Sequence, residues 1–325
     1  MQSVHILSLG CPKNTTSSFR LEKALSELNI EIVDDPVKAQ AIIVNTCGFI
    51  DSAKEESINC LFEVSALKQD NPELKVIAIG CLVERYKDIL SKDLPEVDIF
   101  LDYDNMSEMP KVLGVKGELN LAFQAAGKGA SSYLEISEGC SHGCSYCAIP
   151  AIKGPFSSRA KREVLDEATY LVANGCKEIV IVGQDTGSYG SEIDSETNLA
   201  KLLYDIGDKT DVRWMRLLYL QPQHATKELI ATIRDSEKIC PYLDIPFQHA
   251  SPGIMRAMKR WGEGRRYLEM IEELRAAIPE ISLRTSIMVG FPGETDEDIL
   301  YLSSFLQSAA LDYVGVFEFS AEDGT

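Results

Sequence analysis

Short apolar runs alternate with amphipathic segments along the first third of the chain. The apolar runs are each long enough for one buried strand and cover residues 4–9, 41–44 and 76–79. Segments with apolar residues at helical spacing lie between them, at residues 17–28 and 53–68. This alternation predicts parallel strands joined by helices on both faces of a sheet, and a shorter run at 97–101 predicts one more strand. We therefore expect an open α/β domain of the Rossmann or flavodoxin-like kind.

The same rhythm returns in the second part of the chain. Six strand candidates occur at residues 133–137, 178–182, 213–220, 243–247, 283–289 and 313–319. Helix candidates follow the strands at residues 160–174, 198–207, 226–235, 265–277 and 296–309. Six strand–helix units are too few for a closed eight-stranded barrel. This part is therefore predicted to be an open, partial (β/α)6 barrel of the TIM-like kind.

Four glycines, at positions 114, 117, 127 and 129, interrupt the pattern between the two parts. Glycine clusters of this kind are typical of turns and connecting segments. We predict an amino-terminal domain over residues 1–117, a linker over 118–130 and a second domain over 131–325. A length of 325 residues with 45% hydrophobic composition is sufficient for two cores.

The net charge and the cysteine content indicate which partners and which cellular compartment suit the protein. The formal net charge of −18 repels a phosphate backbone over most of a surface and suits a basic protein partner better, although acidity can also serve solubility alone. Nine cysteines, an odd number, favour metal ligation in a reducing cytoplasm over a disulfide framework. No apolar run is long enough to span a membrane, and no signal peptide precedes the first strand.

Three cysteines, Cys140, Cys144 and Cys147, share one loop directly after a predicted strand, with the spacing C-x3-C-x2-C. A structural zinc site needs four protein ligands, and no second CxxC pair supplies them here. His142 could be a fourth ligand, but its place between two ligands of the same loop favours an ordinary loop residue. Three thiolates instead suit a four-iron cluster whose fourth iron has no protein ligand.

Three further cysteines, Cys11, Cys47 and Cys81, occupy the same position in three successive strand–helix units, just past the carboxyl end of a predicted strand. The carboxyl edge of an open parallel sheet is where ligands bind, and neighbouring strands lie about 5 Å apart. The three thiols are therefore expected to converge on one point and to hold a second cluster. Gly10, Gly48 and Gly80 beside them would let the backbone approach such a cluster.

Several stretches of the chain resemble the methylthiotransferases of the radical S-adenosylmethionine (SAM) superfamily: SLGCPKN, VNTCGFIDSAKEESI, AIGCLVERY and SEGCSHGCSYCAIP. Two later stretches, RLLYLQP and YLDIPFQHAS, resemble the RimO type, which modifies an aspartate of small-ribosomal-subunit protein twelve. The related MiaB type, which modifies an adenosine of transfer RNA, typically carries a VQSGS-like segment where this chain has residues 247–251.

The resemblance implies two [4Fe-4S] clusters, an auxiliary one on Cys11, Cys47 and Cys81 and a SAM-binding one in the later loop. It implies that one SAM methylates sulfur on the auxiliary cluster, and that a second SAM yields a radical that takes a hydrogen from the aspartate β-carbon. A one-electron donor such as flavodoxin or ferredoxin is also implied. The alternatives that stay open are a transfer-RNA methylthiotransferase and a non-catalytic iron–sulfur or sulfur-carrier module.

Other residues are placed near the cofactor or the substrate by the same resemblance. SAM contacts are expected, each with a purely structural alternative, from Tyr146, Gln184, Asp185, Arg216, Gly290 and Glu294. Gln248 and His249 are expected to face the barrel mouth, where they would orient the substrate carboxylate or only fill the space.

The chain departs from the family pattern at two places. The family commonly continues after CPKN with an apolar pair and Asp-Ser-Glu, whereas this chain has TTSSF at residues 15–19, so an acidic feature beside the auxiliary cluster is missing. The family also continues into a small β-barrel TRAM domain, which would follow residue 325. A truncation and a naturally short form both agree with the sequence.

Overall fold

The computed structural model describes residues 2–123, 129–194 and 196–325, which separate into two compact units, Met1–Gly127 and Lys128–Thr325. The predicted boundaries at 117 and 131 stay predictions, and Gly127 of the expected linker lies outside the described residues. No helix within the described ranges combines the length and the apolar character that a membrane crossing requires.

The first unit is built on a five-stranded, all-parallel sheet. Its strands are β1 (Ser3–Ser8), β2 (Glu31–Ile32), β3 (Ala41–Thr46), β4 (Lys75–Gly80) and β5 (Ile99–Phe100). Their order in the sheet is β2-β1-β3-β4-β5. This is the flavodoxin-like order, so the predicted fold class of this part is confirmed.

Four helices cover the two faces of this sheet: α1 (Pro12–Glu27), α2 (Asp51–Ala66), α3 (Cys81–Asp93) and α4 (Met109–Val112). Alternate residues of β3 enter opposite cores, since Ile42 packs with α2 and α3 whereas Ile43 packs with α1 and α4. Helix α1 begins five residues before the predicted start because Pro12 occupies the first helical position, where its missing N–H costs nothing.

The second unit contains a six-stranded parallel sheet and a small hairpin. In chain order its strands are β6 (Ser131–Glu135), β7 (Ser137–Glu138), β8 (Ser157–Ser158), β9 (Glu178–Val182), β10 (Trp214–Leu217), β11 (Ile239–Asp244), β12 (Ser282–Val289) and β13 (Tyr313–Glu318). The large sheet has the order β13-β12-β11-β10-β9-β6, and β7 pairs antiparallel with β8. Six parallel strands in consecutive order confirm the partial barrel.

The helices of the second unit are α5 (Ile149–Lys153), α6 (Lys161–Ala173), α7 (Leu199–Lys209), α8 (Lys227–Asp235), α9 (Pro252–Ala257), α10 (Gly264–Ala277) and α11 (Asp296–Ala309). Of these, α6, α7, α8, α10 and α11 supply most of the helix residues that pack on one face of the large sheet. Strand residues such as Ile181 and Leu217 join the helices in the main core. Residues that alternate with them point to the other face, which carries ion pairs such as Arg284 with Asp244, 2.7 Å apart.

The strand predicted at residues 243–247 is wrong in its bounds, because the observed strand β11 begins four residues earlier, at Ile239, and ends at Asp244. Strand β11 ends at Asp244, and the chain then follows β12 irregularly, with a single bridge between Gln248 and Ile287. Pro246 has no N–H to donate, and Gln248 has a φ of 70°, so the regular ladder cannot continue.

Candidate functional site

The amino-terminal thiol group consists of Cys11, Cys47 and Cys81. Cys11 directly precedes α1, Cys47 directly follows β3, and Cys81 is the first residue of α3, directly after β4. Strand β3 lies between β1 and β4 in the sheet, so the three positions share one edge. Cys47 and Cys81 are buried, whereas Cys11 is exposed. The structure therefore places these residues where the sequence predicted them.

Asn14 connects the segments that carry this group. Its side-chain Nδ2 donates to the carbonyl oxygens of Leu9 and Thr46, both at 3.0 Å. Its Oδ1 accepts from the Cys81 thiol at 3.7 Å. Because Asn14 is almost fully buried, these bonds are shielded from water and hold the three segments in one arrangement.

Ser18 supplies a polar contact below the thiols, inside the segment that departs from the family pattern. The Nδ2 of Asn45 donates to the Ser18 Oγ at 3.0 Å and to the carbonyl of Asn14 at 2.9 Å. Ser57 hydrogen-bonds both the N–H and the carbonyl of Cys47, each at 2.9 Å. Neutral side chains thus support the backbone of this site.

Each of the three glycines beside the thiols lies against another part of the protein, where a Cβ would collide. A Cβ on Gly48 would lie 2.7 Å from the Leu82 Cα, and one on Gly80 would lie 2.5 Å from the Thr46 carbonyl oxygen. Only at Gly10 would the added atom meet a thiol, 2.7 Å from the Cys47 Sγ. Gly48 and Gly80 therefore let neighbouring segments pack closely, and the approach of these glycines to a cluster stays a prediction.

The thiols of this group are electrostatically coupled. Burial, and then repulsion from the thiolates of Cys81 and Cys11, raises the pKa of Cys47 to about 11. Without a metal this thiol is protonated near neutral pH. A metal that binds here must displace the proton, and its positive charge relieves the repulsion between the sulfur atoms.

The cysteine loop, residues 139–147, lies between strand β7 and helix α5, within the connection that leads from β7 to β8. The Cys140 N–H donates to the Gly154 carbonyl at 3.2 Å, and this bond extends the hairpin toward the loop. Gly139 has a φ of 74°, and a Cβ there would lie 2.1 Å from the Pro155 carbonyl oxygen. Only glycine permits this close crossing at the base of the loop.

A second segment, residues 257–260, holds the loop from the other side, and we call it the loop clamp. The Ser145 N–H donates to the Met258 carbonyl at 3.1 Å, and the Ser145 Oγ donates to the Ala257 carbonyl at 2.8 Å. Arg260 Nη1 lies 3.6 Å from the Cys144 Sγ and 3.4 Å from the Tyr146 Oη. The clamp therefore brings one fixed positive charge to the thiols.

The remaining nitrogens of Arg260 define its orientation. Nη2 donates to the Pro246 carbonyl at 2.6 Å. Its Nε is buried and, among the described residues, has no hydrogen-bond partner. A buried donor without a partner is rare and costly in a finished protein, and it indicates that a further group belongs beside this arginine.

Burial and mutual repulsion also perturb the thiols of the cysteine loop. Burial, followed by repulsion from Cys144 and Cys140, raises the pKa of Cys147 to about 11, although the N–H of Ile149 opposes the shift. Burial likewise raises the pKa of Cys140, with a smaller contribution from the Asp185 carboxylate. Three crowded thiols beside a guanidinium fit a cluster that takes thiolate ligands and gains from a nearby positive charge.

His142 and Asp185 contact each other at the side of the cysteine loop. His142 Nε2 lies 2.7 Å from the Asp185 Oδ2. The Asp185 carboxylate is fully buried and also accepts from the Gly187 N–H at 3.1 Å and from the Ser188 Oγ at 2.5 Å. Burial would raise its pKa, but the hydrogen bonds from His142 and from His224 outweigh burial and hold the pKa far below its usual range. Gln184, the preceding residue, is half-buried after β9.

The turn after β12 contains Gly290 and Glu294, and it contacts His249, which follows β11. The Glu294 carboxylate accepts from the Gly290 N–H at 2.5 Å and lies 2.9 Å from the His249 Nε2. The His249 Nδ1 accepts from the Ser251 N–H at 3.0 Å, and the ring is fully buried. Both ring nitrogens are thus used inside the protein, so His249 holds this turn in place, and its contact with the substrate stays a prediction.

Gln248, the neighbour of His249, behaves differently. Its backbone pairs with β12, since its N–H donates to the Ser286 carbonyl at 2.9 Å and its carbonyl accepts from the Met288 N–H at 2.7 Å. Its side-chain Oε1 is buried and, in the part of the chain that the structure describes, has no partner. An unsatisfied buried acceptor is compatible with the predicted ligand contact.

Arg216 and Tyr146 have partners within the protein. Arg216 Nε donates to Glu178 Oε1 at 2.7 Å, and its guanidinium lies 5.0 Å from the centre of the Tyr242 ring. Arg216 thus points away from the helices, as its predicted SAM contact requires, but it already has a carboxylate partner. Tyr146 packs beside Met258 and the small core around it, with its hydroxyl near Arg260. Both SAM contacts stay predictions.

Three residues of the site, Arg260, His224 and Ser188, were not found by sequence reasoning. Arg260 lies 116 positions from the Cys144 that it contacts, and no spacing pattern connects the two residues. The only available signal was the basic run KR at residues 259–260 in a chain that is otherwise acidic. His224 contacts Asp185 from the turn after β10, whereas Ser188 contacts it from within the turn that Asp185 begins.

Comparisons with known proteins agree with this geometry. The model of the radical SAM superfamily matches residues 134–306, and the model of the uncharacterized protein family UPF0004 matches residues 3–102. In solved structures, the fold resembles the radical SAM methyltransferase TsrM from Kitasatospora setae, with a TM-score of 0.68 and 12% identity over 97% of this chain and 73% of that one. OxsB, a cobalamin-dependent SAM radical enzyme, gives a TM-score of 0.63 and 10% identity over 94% of this chain and 52% of its own.

Curated relatives are much more similar in sequence. The protein named ribosomal protein uS12 methylthiotransferase RimO from Acetivibrio thermocellus is 39% identical over 100% of this chain and 76% of its own length. The proteins of the same name from Moorella thermoacetica and Geobacter sulfurreducens are 41% and 40% identical, again over the whole of this chain. Such similarity is decisive: the chain belongs to the RimO methylthiotransferase family of the radical SAM superfamily.

Proposed function

We propose that this protein adds a methylthio group to the β-carbon of an aspartate in ribosomal protein uS12. One observation carries the proposal: the chain is about 40% identical, over essentially its full length, to proteins named for this activity. The curated relatives compared with it here carry the RimO name, which favours the ribosomal protein over transfer RNA as substrate.

The proposed cofactors are SAM and two [4Fe-4S] clusters, one on the amino-terminal thiol group and one on Cys140, Cys144 and Cys147. With these bound, the cluster of the cysteine loop and SAM supply a 5′-deoxyadenosyl radical, which can remove a hydrogen atom from an unactivated C–H bond. The aspartate β-carbon offers neither an acidic proton nor a leaving group, so its modification needs such chemistry. Flavodoxin or ferredoxin is the proposed electron donor.

The protein's own contribution in this proposal is to hold and orient the reactants. The hairpin base and the loop clamp fix the cysteine loop from two sides, and Arg260 places a positive charge against Cys144. Glu294 orders the turn at Gly290, which is exposed and leaves space for a bound nucleoside. The unpartnered Oε1 of Gln248 is the acceptor that we assign to a ligand. The SAM contacts of Tyr146, Gln184, Asp185 and Arg216 remain part of this proposal.

Charge supports the proposed partner. A net charge of −18 attracts a basic ribosomal protein and repels transfer RNA over most of the surface. We place the reaction in the cytoplasm, because nine free cysteines suit a reducing compartment and ribosomal proteins are assembled there.

Mass spectrometry of the two candidate substrates tests the proposal. The reconstituted, reduced protein is incubated with SAM and either purified uS12 or the corresponding transfer RNA. We expect uS12 to gain one methylthio group on an aspartate and the RNA to stay unchanged. The Cys140→Ala variant, which lacks one ligand of the SAM cluster, serves as the inactive control. Modification of the RNA alone would contradict the proposed substrate, and SAM that stays intact would favour the non-catalytic alternative.

A further inference from the structure

Two imidazoles and one carboxylate converge beside the cysteine loop. His142 comes from the loop itself, Asp185 from the turn after β9, and His224 from the turn after β10. Because β6, β9 and β10 are neighbours in a parallel sheet, these turns meet at the same edge. One ligand atom from each residue lies within 4.8 Å of the other two.

The charge at this point is unbalanced. The Asp185 side chain is 1% exposed, and its contacts are two imidazoles, one hydroxyl and one backbone N–H. Within the described ranges, no lysine or arginine contacts it. A buried carboxylate needs a positive partner, since an uncompensated charge away from water costs several kcal/mol. A cation bound between the two imidazoles and the carboxylate would supply that partner.

The two distances from the imidazoles to the carboxylate are close to those that a bound cation requires. Zinc binds imidazole nitrogen and carboxylate oxygen at about 2.0–2.2 Å in a tetrahedral arrangement, which separates neighbouring ligand atoms by roughly 3.3 Å. The Asp185 Oδ2 already lies 3.3 Å from the His224 Nε2. Its distance to the His142 Nε2 is 2.7 Å, so this pair must open by roughly 0.6 Å.

The exposure of the three side chains also suits a metal site. The imidazoles of His142 and His224 are 32% and 26% exposed, so an ion can enter from solvent. The Ser188 Oγ contacts both the Asp185 Oδ2 and, at 3.2 Å, the His224 Nε2. When the His224 Nε2 binds an ion, its contact with Ser188 is replaced, and Ser188 continues to hold the Asp185 carboxylate by a hydrogen bond, as outer partners commonly do in metal sites.

We propose that His142, Asp185 and His224 form a binding site for a divalent transition-metal ion of the zinc class, separate from both thiol groups. Nitrogen and oxygen donors without sulfur distinguish it from the cluster sites. Three protein ligands leave at least one position of a tetrahedral ion for water or an anionic ligand. The ion fixes the cysteine loop to the sheet edge through His142.

The experiment uses the iron-reconstituted protein, so that cysteines are occupied before zinc is added. Zinc chloride is titrated anaerobically, excess ion is removed, and zinc and iron are measured per chain. Zinc X-ray absorption then identifies the ligands. We expect one zinc per chain, unchanged iron, and nitrogen or oxygen neighbours at about 2.0–2.2 Å without the sulfur neighbour at about 2.3 Å that a cysteine site would give.

Substitutions at two neighbouring positions, His224 and Gln223, distinguish loss of a metal ligand from a general disturbance of the turn. His224→Ala is expected to weaken zinc binding at least tenfold while iron content and the folded circular-dichroism spectrum stay unchanged. His224→Gln keeps hydrogen-bonding capacity and should lose zinc similarly. Gln223→Ala, in the same turn, should bind zinc like the parent. The proposal would be overturned by a sulfur neighbour of the zinc or by the absence of bound zinc in the iron-reconstituted protein. Equal zinc binding by the parent and His224→Ala would also overturn it.

Discussion

Replacement of Arg260 by methionine should lower the reduction potential of the cluster in the cysteine loop. Methionine keeps the length of the side chain but removes the positive charge next to Cys144. Reduction adds one negative charge to the cluster, and a nearby guanidinium stabilises that charge. Without the arginine the reduced state loses this stabilisation, so the potential becomes more negative.

The size of the effect follows from the contact distance. Two unit charges 3.6 Å apart, as Arg260 Nη1 and Cys144 Sγ are, interact by about 4–5 kcal/mol at an effective dielectric constant of 20. The added electron is spread over the whole cluster, so we take about one third of this, roughly 1.5 kcal/mol. For a one-electron couple this corresponds to a decrease of roughly 60 mV.

The assay is a redox titration followed by electron paramagnetic resonance. It is performed in a background in which the amino-terminal thiol group is replaced by alanine, so that one cluster remains. Arg260→Lys retains the charge and should lie close to the parent. Arg256→Met makes the same chemical change on an exposed side chain and should have almost no effect, because solvent and salt screen that charge. A potential for Arg260→Met within about 20 mV of the parent, or above it, would refute the electrostatic argument.

Three further predictions concern iron content and stability. Alanine at all three cysteines of the amino-terminal thiol group should remove about half of the iron and spare SAM cleavage; unchanged iron would show that the group holds no cluster. Burial lowers the pKa of His249, whereas the histidine of the unfolded chain takes up a proton near its ordinary value of 6.5, so the free energy of unfolding should fall as the pH drops below 6.5 in urea titrations, and it should fall less in His249→Gln. Gly139→Ala should lower SAM-cluster iron because its Cβ would collide with a facing carbonyl, while Gly143→Ala, with open space around it, should retain iron.

Periodicity was sufficient for most of the architecture. The predicted strand at 178–182 and helix at 296–309 have the bounds of β9 and α11, because both combine a clear apolar period with local end signals, such as the capping box of Thr295 and Asp298. Strand β11 was misplaced because Pro246 and the positive φ of Gln248 end the ladder inside an apolar run. Periodicity alone does not report where backbone hydrogen bonds stop.

The candidate site was predictable only where chain position determines it. The cysteines follow strand ends, and parallel topology then brings those ends to one edge. The contacts of Arg260 and His224 join segments far apart in sequence and depend on how turns fold back onto the cysteine loop. The contacts of His249 are a further example, since only the structure shows that Glu294 and Ser251 occupy both ring nitrogens.

The loop clamp has a consequence for biosynthesis. Ser145 and Met258, which are joined by a backbone hydrogen bond, are separated by 113 positions, so the cysteines leave the ribosome long before their support exists. At translation rates of about 5–20 residues per second, the delay is roughly 6–23 s. During that interval the nascent cysteine loop has three thiols but neither its clamp nor Arg260. Iron delivery to this loop must therefore wait until residues 257–260 have been synthesised, or the thiols must be protected from oxidation until then.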